Sequence, residues 1–159
     1  MKVELKPEVK KSLEKIDFIS RYKKLYMKYS FSSAERFKSY DNSLVMDLFG
    51  ELGYKVSFNK KENFFKFIEQ KHSYKFQVNI SLKAGHTEII WALWRNEALQ
   101  IGIPWILLKT LMGDSDQNIK YPIFRNYEDL KMILKESFLM YEDFKEEILL
   151  IYEHQVSDS

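Results

Sequence analysis

The spacing of hydrophobic residues predicts helices in the first third of the chain. Over residues 7–29, apolar side chains recur every three or four positions, which indicates one amphipathic helix with Pro7 in its first turn. The apolar sides of this helix are separated by a polar strip, which consists of Lys10, Asp17, Arg21, Lys24 and Lys28. Residues 32–35 have the sequence of a capping box, so a second helix is predicted to begin there and, after an interruption, to end at Gly53.

The middle of the chain follows the period of two that is typical of β-strands. Residues 74–82 alternate between apolar and polar side chains, which predicts a strand with one buried and one solvated face. Residues 54–58, 64–70 and 87–95 are predicted to form further strands. The links between them are short, whereas a parallel connection needs a dozen residues or more, so the strands are predicted to form an antiparallel meander.

Helical spacing returns in the last third of the chain. A short helix is predicted after Pro104, and a long one from Tyr127 to about Glu153, with Asn126 as its N-cap. The order of these elements predicts an α+β fold with N-terminal helices, an antiparallel β-meander of about four strands, and a long C-terminal helix packed on the sheet. The 159 residues are expected to form a single globular domain, 1–159, in which about the last five residues are disordered.

Charged residues are distributed unevenly, with a basic beginning and an acidic end. Residues 1–40 contain eleven Lys or Arg and five Asp or Glu, a net charge of +6, whereas residues 126–159 contain three and nine, a net charge of −6. The whole chain carries only +2. Charge of this kind bears on partners and association rather than on fold. Two interpretations remain open: the basic region pairs with the last helix inside the molecule, or both charged regions face an external partner.

The outward side of the last helix supplies the candidate binding site. Three apolar side chains fall within about 20° of one another on its helical wheel, roughly opposite the core face. This apolar stripe consists of Met132, Leu139 and Leu150, and its acidic border consists of Glu128, Glu136, Asp143, Glu146 and Glu147. Since apolar burial supplies affinity and a charged border supplies steering, the stripe is predicted to anchor a partner protein. Scattered surface residues, or a helix covered by the fold on both sides, would give the same pattern.

The composition gives little support for catalysis. There is no cysteine, which excludes a disulfide framework, a thiol nucleophile and any Cys-ligated metal. His86 and Glu88, at a turn, are a weak candidate for acid–base chemistry. Residues 114–118 resemble the start of a calcium loop, but Ile119 and Arg125 stand where that loop requires Gly and a bidentate Glu. We therefore predict no enzyme activity, no cofactor and no metal.

The remaining features concern location and alternative partners. The first residues lack the apolar segment of a secretory signal, and no stretch reaches the roughly 18 apolar residues of a membrane span, so a cytoplasmic protein without membrane association is expected. Nucleic acid is an alternative partner, because residues 22–29 interleave aromatic side chains with lysines, although the acidic end would repel a polyanion. Trp91 and Trp94 are predicted to lie on opposite faces of a strand, so one of them is a second candidate anchor.

Two stretches of the chain resemble a known group of proteins. Residues 48–58 read as a helix end that runs into a strand, and residues 119–130 lead into the acidic last helix. Together they resemble small bacterial immunity proteins of polymorphic and contact-dependent toxin systems. The resemblance implies a cytoplasmic protein that binds and blocks a cognate toxin domain, and it assigns no functional residue. Our prediction is therefore a non-enzymatic protein-binding module, a toxin-neutralising immunity protein whose stripe anchors the toxin while Glu136, Asp143, Glu146 and Glu147 pair with its basic residues. The alternative is a nucleic-acid-associated regulator that uses the basic N-terminal helix.

Overall fold

The structure is a computed structural model that describes the backbone of residues 4–157 and the side chains of residues 4–155. Within that range the helices are α1 (Pro7–Lys15), α2 (Phe18–Lys28), α3 (Asn42–Glu51), α4 (Trp105–Leu111) and α5 (Tyr127–Ser157). The strands are β1 (Ser57–Asn59), β2 (Phe64–Lys71), β3 (Tyr74–Ser81), β4 (Glu88–Arg95) and β5 (Ala98–Pro104). The predicted α+β class is confirmed. The predicted disorder of the last five residues falls mostly on positions 156–159, whose side chains lie outside the described residues.

The strands form one antiparallel meander in the order β1-β2-β3-β4-β5, as predicted. The face of the sheet that meets α5 is apolar, and its central members are Phe76, Val78, Ile80, Ile89, Trp91 and Leu93, each at most 3% exposed. The ring of Trp91 stacks on Phe144 of α5 with centroids 5.1 Å apart. The long helix therefore packs on the sheet, because its apolar side and the inward positions of the strands bury each other.

The sheet has five strands rather than the four predicted. The additional strand is β5, which carries apolar side chains on both faces together with Gly102 and Pro104. Without alternation, and with two residues that usually interrupt strands, its sequence gives no strand signal. The first strand is shorter than predicted, because the backbone of Tyr54 still belongs to the end of α3: its N–H donates to the carbonyl of Phe49 at 2.9 Å. Gly53 takes the expected left-handed conformation, with φ +91°.

The single helix predicted over residues 7–29 is two helices. Asp17 adopts a left-handed conformation, with φ 56°, and separates α1 from α2. Aspartate tolerates this region better than most residues do. The break turns both apolar sides of the sequence toward the core, since Leu13 of α1 and Phe18 of α2 are each 0% exposed. One straight helix would bury only one of those sides.

The prediction that a helix begins at residues 32–35 is wrong. The side chain of Ser32 donates to the carboxylate of Glu35 at 3.1 Å instead of capping a helix, and the segment is a turn. Its conformation is decided by the aromatic residues that follow. Phe37 donates its N–H to the carbonyl of Phe124 at 3.0 Å, and its ring meets Tyr127 edge-on with centroids 4.9 Å apart. Helix α3 begins only afterwards.

Candidate docking surface

Helices α1 and α2 run antiparallel to α5, and this arrangement brings the two charged regions of the chain together. At one end, Gln155 donates to the carboxylate of Glu8 at 3.0 Å. At the end of α1, the Lys15 ammonium lies 3.9 Å from a carboxylate oxygen of Glu147. Arg21 of α2 then contacts Asp143, near the middle of α5. The basic beginning of the chain thus pairs with its acidic end inside the molecule, which is the first of the two interpretations left open by the sequence.

Arg21 makes the tightest contact between these helices. Its Nη1 donates to Asp143 Oδ2 at 2.7 Å, and its Nη2 lies 3.5 Å from Glu136 Oε1. The two carboxylate side chains are 51% and 40% exposed, so each pair contributes on the order of 0–1 kcal/mol to stability. Glu147 is paired with α1, and among the described residues Glu146 forms no ion pair. A partner that binds the acidic border must therefore compete with internal ion pairs for three of its residues.

The apolar stripe lies on the surface of the molecule. Met132, Leu139 and Leu150 are 41%, 48% and 44% exposed, whereas the following Ile133 and Met140 are fully buried. The fold thus does not cover α5 on both sides at these three positions. With part of the acidic border, the stripe forms a row at alternating intervals of four and three residues: Met132, Glu136, Leu139, Asp143, Glu146 and Leu150. This interval keeps one line of side chains facing a neighbouring helix.

A groove of about 480 Å³ lies between α2 and the first half of the stripe. Its apolar members are Leu25, Tyr29, Met132 and Leu139, and the lysines that line it are Lys24, Lys28 and Lys135. None of these lysines forms an ion pair with a described residue. The unpaired charge beside this half of the stripe is therefore positive. Two of the lysines belong to the polar strip of the sequence, but Lys135 was not singled out, because only the packing of α2 on α5 brings it to the same groove.

A second cavity, of about 390 Å³, lies at the end of the sheet beside His86 and Glu88. Nη1 of Arg36 lies 2.8 Å from Nε2 of His86; since arginine can only donate, the ring accepts there and is neutral. Burial, together with the Arg36 charge, lowers the pKa of His86 below its ordinary value. Burial and the nearby charge of Glu88 raise the pKa of Tyr121, so its hydroxyl stays protonated. His86, one member of the predicted acid–base pair, thus contacts Arg36, and no hydrogen bond joins it to Glu88 within residues 4–155.

A second possible pair, Glu88 with His154, is not assembled either. Glu88 begins β4, and Arg95 ends it. The Arg95 guanidinium lies 4.1 Å from the centroid of the Tyr152 ring, two residues before His154 in α5. His154 therefore lies by the far end of the strand from Glu88.

The calcium-like loop is organised by a lysine. Lys109 of α4 is only 2% exposed, and its ammonium donates to the carbonyl of Asp116 at 2.7 Å and to both the carbonyl and the Oδ1 of Asp114 at 3.3 Å. Lys23 reaches the other oxygen of Asp114 at 2.5 Å. An ammonium thus stands among the oxygens that would surround a metal ion in a calcium loop.

The chain matches no protein-family model, no curated protein and no solved structure. No three His, Asp or Glu side chains come together as a metal site in the described part of the chain. Within the same residues, no helix combines the length and the apolar character needed to cross a membrane.

Proposed function

We propose that this protein is a non-enzymatic binding module that docks another protein on the outer face of α5. The observation that carries the proposal is the exposure of Met132, Leu139 and Leu150, which place three large apolar side chains in one row on a helix that is otherwise well packed. Exposed apolar side chains that form a line, rather than isolated points, are typical of interfaces.

The partner surface that fits this row is an amphipathic helix with a defined charge pattern. The interval of the row suits a second helix lying alongside, with its own apolar residues at every third or fourth position. Where that helix passes Lys24, Lys28 and Lys135, it should carry acidic residues, because those charges are unpaired. Where it passes Glu146, it should carry a basic one. The sequence predicted basic residues of the partner opposite Glu136, Asp143, Glu146 and Glu147, and the groove between α2 and α5 supports acidic residues beside them as well.

We further propose that the partner is a toxin domain and that the protein acts as its immunity protein. The resemblance of residues 48–58 and 119–130 to such proteins supports this choice. The mechanism is occlusion: the bound protein covers the toxin surface, and no bond is made or broken. Steric blocking of this kind needs affinity and a rigid surface, and a 31-residue helix packed on a sheet supplies such a surface.

We expect Leu139→Asp, and separately Leu150→Asp, to weaken the complex at least about tenfold, since each replaces an apolar contact with a charge that must be desolvated. Tagged protein purified from its native cells after nuclease treatment would identify the partner, and calorimetry with the purified partner would give the affinities. The matched control is Leu44→Asp on α3, a leucine that is 45% exposed against 48% for Leu139.

The melting temperature separates this proposal from a structural role. All three leucine variants should melt within about 2 °C of the parent protein, because their side chains are already half exposed. A sharp fall in the melting temperature of Leu139→Asp alone would mean that the stripe belongs to the core, and undiminished binding by both stripe variants would move the interface elsewhere. If a partner binds through the stripe but its toxicity in cells is not relieved, the binding module stands and the immunity role fails.

A second candidate function is association with nucleic acid, favoured by the three unpaired lysines of the groove. Lysines that neutralise phosphates release counterions, so the logarithm of the binding constant should fall linearly with the logarithm of salt, with a slope of about −0.9 for each contact on duplex DNA. Changing Lys24, Lys28 and Lys135 to Gln should flatten that slope by up to about three contacts, as measured by fluorescence anisotropy with single-stranded and duplex probes. No anisotropy change at low salt would exclude this function.

A further inference from the structure

The face of the sheet turned away from α5 differs between its two halves. On β3 this face carries polar side chains, namely Lys75, Gln77, Asn79 and Ser81, as expected for a face in water. On β4 the first residue of this face is Glu88, paired with Ser81, and the paired residues that follow on β4 and β5 are apolar. The residues paired there across the two strands form what we call the β4–β5 patch: Ile90, Ala92 and Trp94 with Pro104, Gly102 and Leu99.

Strand β4 has the sequence of a strand that is covered on both faces. Residues 89–94 are six consecutive apolar residues, and continuous apolar runs are typical of strands buried on both sides. In the structure only one side is covered. Trp91 is 2% exposed, whereas Trp94, on the opposite face as predicted, is half-buried, and Leu99 beside it is 54% exposed. The neighbouring β3 shows that this chain does place polar residues where the sheet meets water.

The edge strand that borders the apolar half of the open face is also poor in charge. Strand β5 is an edge strand, and it contains no charged residue. Exposed edges are usually short, or carry lysine, to prevent association with other chains. The opposite edge follows that rule, because β1 has three residues and is bordered by Lys55, Lys60 and Lys61. The β5 edge has seven residues and no charge, so its protection rests on Pro104 and on the register shift opposite Leu93 and Trp94. This edge adjoins the apolar half of the open face.

We propose that the β4–β5 patch is the contact surface for a second copy of this chain, with the two open faces packed against each other around a two-fold axis. Such an interface places a surface against itself, so it must contain no concentration of like charge. The patch carries no formal charge. Its border is mixed, with Lys75 and Glu97 beside Trp94 at one end and Lys83 and Glu88 beyond Ile90 at the other.

The shape of the patch suits this packing. Ala92 and Gly102 are paired at its centre, and the larger side chains lie on either side of them. Small central residues let a second sheet approach to the usual spacing of about 10 Å while the outer side chains interdigitate. The polar half of the open face then forms the rim, as in other interfaces with an apolar centre. The apolar stripe of α5 lies on the other side of the sheet, so this interface does not depend on the proposed function.

The test is the mass of the protein in solution. Sedimentation equilibrium of the full chain at concentrations up to about 100 µM should give twice the chain mass of 19.2 kDa. Leu99→Lys should raise the dimer dissociation constant at least about tenfold, because it places a charge that must be desolvated in an apolar interface. The matched control is Ile68→Lys, which puts the same charge on an isoleucine that is 43% exposed on the polar half of the same face, and it should leave most of the dimer intact.

Tryptophan fluorescence supplies an independent readout. Acrylamide quenching should decrease as the concentration rises through the dimerisation range, since Trp94 becomes covered while Trp91 and Trp105 are buried at all concentrations. Gly102→Glu is a second variant, because this glycine has an ordinary φ and a new Cβ would meet only ordinary contacts, with the flexible tip of Leu99 at 3.4 Å and the Cβ of Ala92 at 3.9 Å. A parent protein that remains at 19.2 kDa, or a dimer unaffected by both patch variants, would overturn the proposal, including the case in which a different protein covers the patch.

Discussion

Lys145→Met should destabilise the protein by about 3 kcal/mol at pH 7, a fall of about 6–12 °C in melting temperature. The Lys145 ammonium lies 2.7 Å from Glu69 Oε1 on β2 and 2.7 Å from Glu142 Oε2 on α5, and its side chain is only 11% exposed. Tyr141 donates to the same oxygen of Glu69 at 2.7 Å, and Tyr54 donates to Glu142 at 2.8 Å. Methionine keeps the length of the side chain but leaves two neighbouring carboxylates without their shared cation.

The pH dependence of this loss follows from Glu69. Burial raises the pKa of Glu69, but the hydrogen bonds from Lys145 and Tyr141 outweigh burial, and the folded pKa lies below its ordinary value of 4.5. The carboxylate therefore stabilises the parent protein above about pH 4.5, and this contribution is lost as pH falls through the folded pKa. Without Lys145, Glu69 binds its proton more readily in the folded state. The difference between the two proteins should therefore shrink as the pH is lowered from 7 to 4.

Urea denaturation at both pH values measures this difference, and Lys131→Met is its control. Lys131 is on the same helix and also lies 2.7 Å from a carboxylate, Glu51, but its side chain is 43% exposed and that of Glu51 54%. Its replacement should cost less than about 1 kcal/mol. Equal losses in the two variants would show that burial of the Lys145 cluster adds nothing to its stability.

Lys109→Met should also destabilise the protein by about 3 kcal/mol, because the loop after α4 is built around this ammonium. Lys23→Met removes the other cation that contacts Asp114. The Lys23 side chain is 34% exposed, so its replacement should lower the stability much less than Lys109→Met does. Thermal unfolding followed by circular dichroism compares the two variants. A greater loss in Lys23→Met would reverse the assigned roles of the two lysines.

Acid and calcium provide two further readouts for this loop. Hydrogen bonds from Lys23, from the backbone of Asp116 and from Lys109 lower the pKa of Asp114 to about 2. Its contribution is therefore present above the ordinary value of 3.8 and is lost only as pH falls through about 2. Millimolar calcium should leave the melting temperature of the parent protein unchanged, since a ligand raises it only by binding the folded state. A rise in the parent protein that is absent in Asp114→Asn would mean that calcium binds this loop.

The regular elements could be predicted where one local pattern decides them. The alternation of residues 74–82 predicts a strand with one solvent-exposed face, and β3 is that strand. Asn126 was expected to cap the last helix, and its side chain accepts from the N–H of Asp129 at 2.8 Å. Gly53 was expected to end a helix, and its φ of +91° is left-handed. Such signals depend only on residues within one or two turns of each other, so they can be recognised in a single amino-acid sequence.

Prediction failed where a distant contact outweighed the local pattern. Ser32 and Glu35 have the sequence of a helix start, but the segment is a turn, and Phe37 donates its N–H to the carbonyl of Phe124, almost ninety residues later. Helical periodicity continues through Asp17, yet the chain breaks there because both apolar sides of the sequence must face one core. Strand β5 was missed because it is apolar on both faces, which is the same property that makes the β4–β5 patch a candidate interface.

The candidate docking surface likewise has features set by local sequence and features set by distant contacts. The sequence by itself determined that Met132, Leu139 and Leu150 share one side of the last helix, because the helical repeat alone fixes which residues share a side. Only the tertiary structure decided that this side faces solvent, that Arg21 occupies Glu136 and Asp143, and that Lys135 joins a groove with α2. The physical reason is the separation along the chain of the residues that interact. Periodicity is a property of consecutive residues, whereas the pairing of Arg21 with carboxylates more than a hundred residues away depends on where folding places two helices.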